Sequence, residues 1–182
     1  MLKIFTTQLM GVFQNIQKEN EWNLEEGSRL VCQTIVSDGH VYVYGSESLQ
    51  STILTESLSG ANSLPKSRPL LDDHHEIHAL SSFDTVLLFS EELDESLFDV
   101  YSKIKPSGSN IIVISNQTDK KPSWINDVDC FLNLGVKGPL VPTDNGKKIG
   151  NPIIFASLYM YMALYLNIVD ILEEQDFFRS VE

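Results

Sequence analysis

The chain has 182 residues, of which 42% are hydrophobic and 21% charged, and its formal net charge at pH 7 is −12. This length suits one domain with a sizeable core, and the composition excludes global disorder. The acidic balance, with no compensating basic run, argues against nucleic acid or an anionic membrane as a partner.

The N-terminal region, residues 1–38, predicts two amphipathic helices. Apolar side chains recur at helical spacing over residues 1–17. The polar run at residues 18–21 predicts a break. Asn23, with Glu26 three residues later, then has the form of a capping box that begins a second helix.

Short apolar segments in residues 39–150 predict the strands of a sheet. Three of them are rich in β-branched or aromatic residues and too short for a helix: residues 40–44, 85–89 and 111–114. Weaker candidates are residues 69–71 and 130–134. None alternates cleanly between polar and apolar residues, which is typical of strands covered on both faces. Helical patterns lie between the strands, so we predict a three-layer α/β/α sandwich with a parallel sheet of about five strands.

A long apolar helix is predicted at the C-terminal end, over residues 151–175. Asn151 can cap it and Pro152 fits its first position. Residues 153–169 carry no charge over 17 positions. A membrane span needs about 20 predominantly apolar residues, and polar residues dilute this segment. We therefore expect a core or interface helix that is buried on most sides, and one domain over residues 1–182.

The two cysteines, Cys32 and Cys130, are far apart and lack any metal-binding or redox spacing. We expect two small buried thiols in a reducing compartment. Polar residues also interrupt the first apolar stretch, which is unlike a secretory signal. Both observations predict a cytoplasmic protein.

Each of the three best strands ends in small polar residues, namely Gly45-Ser46, Ser90 and Ser115-Asn116. In open α/β sheets the ligand crevice lies beyond the carboxyl ends of the strands. The sequence therefore predicts a binding site at this edge of the sheet.

This order of elements resembles the SIS (sugar isomerase) domain, whose topology is flavodoxin-like, and residues 83–90 carry much of the resemblance. The chain also resembles an uncharacterised bacterial SIS-like family, loosely similar to phosphoheptose isomerases, in which residues 144–165 are the most distinctive part. The resemblance implies that hydroxyls and backbone N–H groups at a helix N-terminus cradle a sugar phosphate. It also implies a homodimer that pairs through helices, here the first and the last.

Both ligand loops depart from the SIS pattern. Where SIS proteins commonly have G-x-G-x-S, Gly45 matches, Glu47 replaces the second glycine and Ser48 comes one position early. Where they have S-x-S-G-x-T, only Ser90 matches, and four carboxylates follow within residues 91–95. Two like charges about 6 Å apart repel by roughly 3 kcal/mol at an effective dielectric constant near 20. The alternative is that these acids begin the next helix, where they favour its dipole.

Three further groups of residues have candidate chemistry. Glu47, with Glu91 or Glu92 as partner, has the acid–base chemistry that an aldose–ketose isomerisation needs. Lys147 and Lys148 precede the last helix and are suited to hold an anion, although a solvated loop also explains them. Three histidines lie in residues 72–78, two of them at helical i, i+4 spacing, but without a third ligand we predict a solvated helix and no metal.

The predicted function is an SIS-like binding module for a phosphosugar or related small polar metabolite, acting in sensing or regulation. Its predicted ligand-binding residues are Gly45, Ser46, Ser48, Ser90, Ser115, Asn116, Lys147 and Lys148. The alternatives are a phosphoheptose-like isomerase with Glu47 and Glu91 as catalytic groups, and a structural dimer without ligand. We expect no cofactor, no nucleic-acid or membrane partner, and a homodimer.

Overall fold

A five-stranded parallel sheet forms the centre of the molecule in the computed structural model, which describes residues 1–117 and 121–175. Its strands are β1 (Val41–Gly45), β2 (Ser67–Pro69), β3 (Thr85–Phe89), β4 (Asn110–Ser115) and β5 (Cys130–Asn133). They lie in the order β2-β1-β3-β4-β5, and all four pairings are parallel. The predicted α/β class and flavodoxin-like topology are confirmed.

Helices cover both faces of the sheet. They are α1 (Leu2–Val36), α2 (Glu47–Ser59), α3 (Glu95–Ile104) and α4 (Ile153–Glu174). Alternate residues of β1 show the division, because Val41 and Val43 pack with α1, α2 and α4, whereas Tyr42 packs with α3. A short 3₁₀ turn, Ser123–Asp127, completes the α3 layer. Strands buried on both faces explain the continuous apolar runs in the sequence.

The N-terminal region is one continuous helix, so the predicted break at residues 18–21 is wrong. Asn20 is 1% exposed, and its side chain reaches the edge strand β5. Its amide nitrogen donates to the Asn133 carbonyl at 2.9 Å, and its amide oxygen accepts from the Asn133 N–H at 2.7 Å. Asn23 donates to the Phe131 carbonyl at 3.0 Å, so it lies inside the helix and does not cap one. The polar run therefore joins α1 to the sheet.

This contact closes the unpaired edge of β5. An edge strand presents backbone N–H and C=O groups that need partners. The Asn20 amide supplies a donor and an acceptor to one residue, as a neighbouring strand would. Two asparagines that locally favour a turn are thus placed in a helix by a distant strand.

Helix α4 buries one face against α1, α2 and the sheet, not most of its circumference as predicted. Tyr161 is 1% exposed and its hydroxyl donates to the Asn62 carbonyl, whereas Phe155 and Leu166 are 48% and 55% exposed. Within the described residues, α4 is the one helix with the length and composition to cross a membrane, a test that core helices of soluble proteins also pass. Its start is one residue later than predicted, with Pro152 as N-cap and the Asn151 side chain accepting from the Ile153 N–H at 3.2 Å.

A small antiparallel hairpin, β6 (Val141–Pro142) and β7 (Lys148–Ile149), connects β5 to α4. Gly150, directly after β7, lies close to the ring of Phe5 in α1, and that ring packs edge to face at 5.9 Å against Phe155 of α4. No pattern in the sequence predicts this hairpin.

Candidate functional site

The polar strand endings meet at one edge of the sheet. Order β2-β1-β3-β4-β5 places the topological switch point between β1 and β3, where the connections diverge to opposite sides. There the Ser46 N–H donates to the Phe89 carbonyl at 2.9 Å. The Ser90 N–H in turn donates to the Ile114 carbonyl at 3.0 Å. The three predicted endings therefore belong to one continuous edge.

The loop after β1 is a tight turn into α2. A Cβ atom on Gly45 would lie only 2.7 Å from the Cα of Gln50, so the position requires glycine. Ser46 occupies the N-cap of α2, and its carbonyl accepts the N–H groups of Leu49 and Gln50. Glu47 and Ser48 follow in the first turn and are exposed.

Four buried hydroxyls lack a hydrogen-bond partner within residues 1–117 and 121–175. Ser28 and Ser157 belong to helices, whereas Ser46 and Ser115 lie at the carboxyl ends of β1 and β4. An unpaired buried polar group in a native protein calls for an explanation, such as strain, a catalytic role, or a bound water or ion. Two of the four thus lie at the predicted edge.

The acids after β3 divide into two pairs. Asp94 is the N-cap of α3, its carboxylate accepting from the Leu97 N–H at 2.9 Å, and Glu95 lies in the first turn. These two begin the helix, which is the alternative that the sequence allowed. Glu91 and Glu92 precede the cap and line a cavity instead.

This cavity, which we call the carboxyl-edge cavity, has a volume of about 350 Å³ and lies beside the ends of β3, β4 and β5 and the start of α4. Its polar lining includes two carboxylates, three side-chain amides and one ammonium group: Glu91, Glu92, Asn116, Gln117, Asn151 and Lys137. Such a wall can accept hydrogen bonds from hydroxyls and pair one anionic group.

Asn116, predicted to bind ligand, also braces the cavity. Its amide nitrogen donates to the Glu91 carbonyl at 3.0 Å, and its amide oxygen accepts from the Val136 N–H at 2.8 Å. The side chain therefore holds the loops after β3 and β5 together, and one amide hydrogen remains for a ligand.

Several predicted site residues do not line the carboxyl-edge cavity. Gly45 lines another cavity, and Glu47 and Ser48 lie at the exposed start of α2. Lys147 and Lys148 are exposed in the β6–β7 hairpin. Lys137 was missed, although it follows β5 by four residues, and the carboxyl-end rule applied to that strand would have found it.

The histidine-rich segment is a tight hairpin and not the predicted helix. Leu71 and Ile77 form an antiparallel bridge. The Asp72 carboxylate accepts the N–H groups of His74 at 2.8 Å and Glu76 at 2.9 Å, and the Glu76 bond is the larger cause of its lowered pKa. The histidines therefore do not share a helix face. In the described residues, no group of three or more His, Cys, Asp or Glu side chains is arranged to hold a metal ion.

Both cysteines are buried free thiols. Burial raises the pKa of Cys32 to about 11 and that of Cys130 to about 12. The Cys130 thiol donates to the Asn23 carbonyl at 3.2 Å. Neither thiol lies at the carboxyl edge, and neutral buried thiols are poor nucleophiles.

Comparison with known proteins identifies both a family and a fold. A family model described as "Domain of unknown function (DUF2529)" matches residues 1–172. A protein of Bacillus subtilis (strain 168), named "Uncharacterized protein YwjG", is 30% identical over 179 residues, covering 96% of this chain and 99% of that protein.

Two solved structures have the same fold. One is a hypothetical protein from Methanococcus jannaschii, whose structure was taken to infer a 3-hexulose-6-phosphate isomerase. It matches with a TM-score of 0.62 and 17% identity, covering 96% of this chain and 90% of that one. The other is the sugar isomerase domain of an RpiR transcription factor from Sphaerobacter thermophilus, with a TM-score of 0.53 and 12% identity, covering 96% and 97%. The predicted SIS-like fold is confirmed.

Proposed function

The chain belongs to the DUF2529 family, and we propose that it is a binding module for a phosphosugar or a related small polar metabolite, with a role in sensing or regulation. The carboxyl-edge cavity carries this proposal, because it lies where ligands of open α/β sheets bind. Its volume, about 350 Å³, is within the usual range for small-molecule sites. Of the two structural neighbours, one is a hypothetical protein whose structure was taken to infer a 3-hexulose-6-phosphate isomerase, and the other is the sugar isomerase domain of a transcription factor.

The charges around the cavity indicate how a ligand would lie. Glu91 and Glu92 oppose a dianionic phosphate, and Lys137 is the single lining cation. Carboxylates are good acceptors for sugar hydroxyls. We propose that the hydroxylated part of the ligand faces the two glutamates and that an anionic group, where present, pairs with Lys137.

A binding role is favoured over aldose–ketose isomerisation by the positions of the two candidate catalytic groups. Glu91 lines the carboxyl-edge cavity, whereas Glu47 does not and is exposed in the first turn of α2. An acid–base pair must reach the same substrate. The proposal therefore assigns Glu91 to ligand contact.

The test compares fructose, fructose 6-phosphate and inorganic phosphate by titration calorimetry. Lys137→Met removes the lining charge and keeps most of the aliphatic stem. We expect it to weaken fructose 6-phosphate binding about tenfold, the equivalent of one charge-assisted hydrogen bond, and to leave fructose binding unchanged. The control is Lys3→Met, an exposed lysine on the first turn of α1. Absence of saturable binding by all three compounds would refute the proposal.

We also propose a homodimer that pairs through α1 and α4. Leu2, Met10, Phe155 and Leu166 are exposed apolar residues of these helices, and α4 carries no charge from residue 153 to residue 169. On a chain of net charge −12, the uncharged part of α4 is where two copies approach with the least repulsion. Burial of contiguous apolar surface supplies the driving force.

A further inference from the structure

A second cleft lies between the hairpin of residues 70–78 and helix α3. It has a volume of about 540 Å³, and Leu71, Ile77 and Val100 supply its apolar wall. Tyr44, from the end of β1, is half-buried and also lines it. The cleft shares no lining residue with the carboxyl-edge cavity, so it is a separate place for a ligand.

The polar lining of this cleft contains both signs of charge. Lys103 and Glu76 carry opposite charges, and the imidazoles of His75 and His78 lie beside them. In the part of the chain that the structure describes, these four side chains take part in no hydrogen bond or ion pair. The cleft therefore contains hydrogen-bond donors and one carboxylate acceptor whose side chains have no hydrogen-bond or ionic partner among the described residues.

The hairpin fixes where His75 lies. The His75 N–H donates to the Asp72 carbonyl at 3.0 Å, and His75 has a φ of 61°. Left-handed backbone is uncommon for residues other than glycine, and observed outliers cluster at functional sites. His75 also lines a neighbouring cavity of about 250 Å³ together with Asp73 and Gly45. Its side chain thus borders two adjoining cavities.

We propose that the cleft binds an amino-acid-like zwitterion with an apolar side chain. Its carboxylate would pair with Lys103, its ammonium group with Glu76, and its apolar body would cover Leu71, Ile77 and Val100. A simple anion would face Glu76 and the nearby Asp72, and a simple cation would face Lys103. A ligand with both charges pairs with Lys103 and Glu76 at once.

The test uses three compounds that differ only in their charged groups. L-phenylalanine has both, 3-phenylpropanoate lacks the amine, and 2-phenylethylamine lacks the acid. Ring resonances of His75 and His78, assigned by substitution, are followed by NMR during titration. We expect saturable shifts with L-phenylalanine and at least about tenfold weaker binding of the other two, because each loses one charge-assisted hydrogen bond.

Two variants test the assigned partners. Lys103→Met and Glu76→Gln remove exposed charges, and the hairpin uses only the backbone of Glu76. Each should weaken L-phenylalanine binding about tenfold, whereas Lys3→Met and Glu19→Gln, exposed on α1, should not. Fructose 6-phosphate binding should be the same in all four variants, so the two sites can fail independently. No saturable histidine shift, or equal binding of 3-phenylpropanoate and L-phenylalanine, would overturn the zwitterion site.

Discussion

Replacing Asn20 with alanine should destabilise the fold through the loss of the contact between α1 and β5. The Asn20 side chain makes three hydrogen bonds, to the carbonyls of Ile16 and Asn133 and from the Asn133 N–H. The Ile16 carbonyl lies inside α1, where the helix backbone also supplies a donor, so the loss of the Asn20 side chain costs this group little free energy. The Asn133 N–H and C=O, in contrast, lose their partner on the edge of the sheet.

The size of the effect follows from these two backbone groups. Leaving a buried donor or acceptor unsatisfied costs about 1–3 kcal/mol. Asn133 is only partly buried, so water can replace some of the lost bonding. Alanine also has a higher helix propensity than asparagine, by up to about 0.7 kcal/mol. We expect Asn20→Ala to lower the free energy of unfolding by about 2–3 kcal/mol.

Urea denaturation followed by circular dichroism measures this change, with an unchanged m-value showing that the native fold is kept. The matched control is Asn15→Ala, an exposed asparagine of the same helix. Asn20→Asp separates donor from acceptor, because it retains the acceptor for the Asn133 N–H but places a carboxylate against two carbonyls. It should be at least as destabilising as alanine. If Asn20→Ala and Asn15→Ala agree within about 0.5 kcal/mol, the proposed role of Asn20 is wrong.

The remaining predictions concern charge, assembly and pH. The double variant Glu91→Gln/Glu92→Gln should bind fructose 6-phosphate at least tenfold more tightly in calorimetry, because losing the repulsion of two carboxylates outweighs the weaker hydrogen bonds that the glutamine carbonyls accept from the sugar hydroxyls. Fructose itself should bind no more tightly than to the wild type, and unchanged affinity for fructose 6-phosphate would contradict the electrostatic reasoning. Sedimentation equilibrium should show a dimer that Leu166→Asp dissociates, whereas one species near 20.5 kDa for the wild type would exclude it. Cys32 and Cys130 should resist thiol reagents until the protein unfolds, because burial raises their pKa values to about 11 and about 12. Above the ordinary thiol pKa of 9.0 the unfolded thiols lose protons that the folded ones keep. Stability should therefore fall as pH rises from 9 to 11, by roughly 1 kcal/mol per thiol and pH unit. A flat profile in a denaturant titration over that range would show that the thiols ionise equally in both states.

Local sequence was sufficient to locate β1, β3, β4 and β5 and the edge where a ligand would bind, whereas the strand predicted at residues 69–71 is β2 at Ser67–Pro69 and the β6–β7 hairpin was not predicted. The run at residues 85–89 matches β3 residue for residue, because a β-branched and apolar segment of that length has few alternatives. The same holds for the polar residues after β1, β3 and β4, whose position follows from strand direction alone. The SIS-like fold was recognised from that order of elements.

The tertiary structure decided which polar residues have which partners. The local sequence of residues 18–21 fits either a break between two helices or a contact surface within one helix. The hydrogen bond that decides between them runs from the Asn20 side chain to the Asn133 carbonyl, 113 residues away in the chain. The histidine spacing in residues 72–78 fits a helix, but the segment forms a hairpin because the Asp72 carboxylate accepts two backbone N–H groups. Lys137 and Glu91 line one cavity only because β3 and β5 flank β4. Propensity and periodicity are set by near neighbours in the chain, whereas hydrogen-bond partners and cavity walls are set by segments that meet only when the sheet has formed.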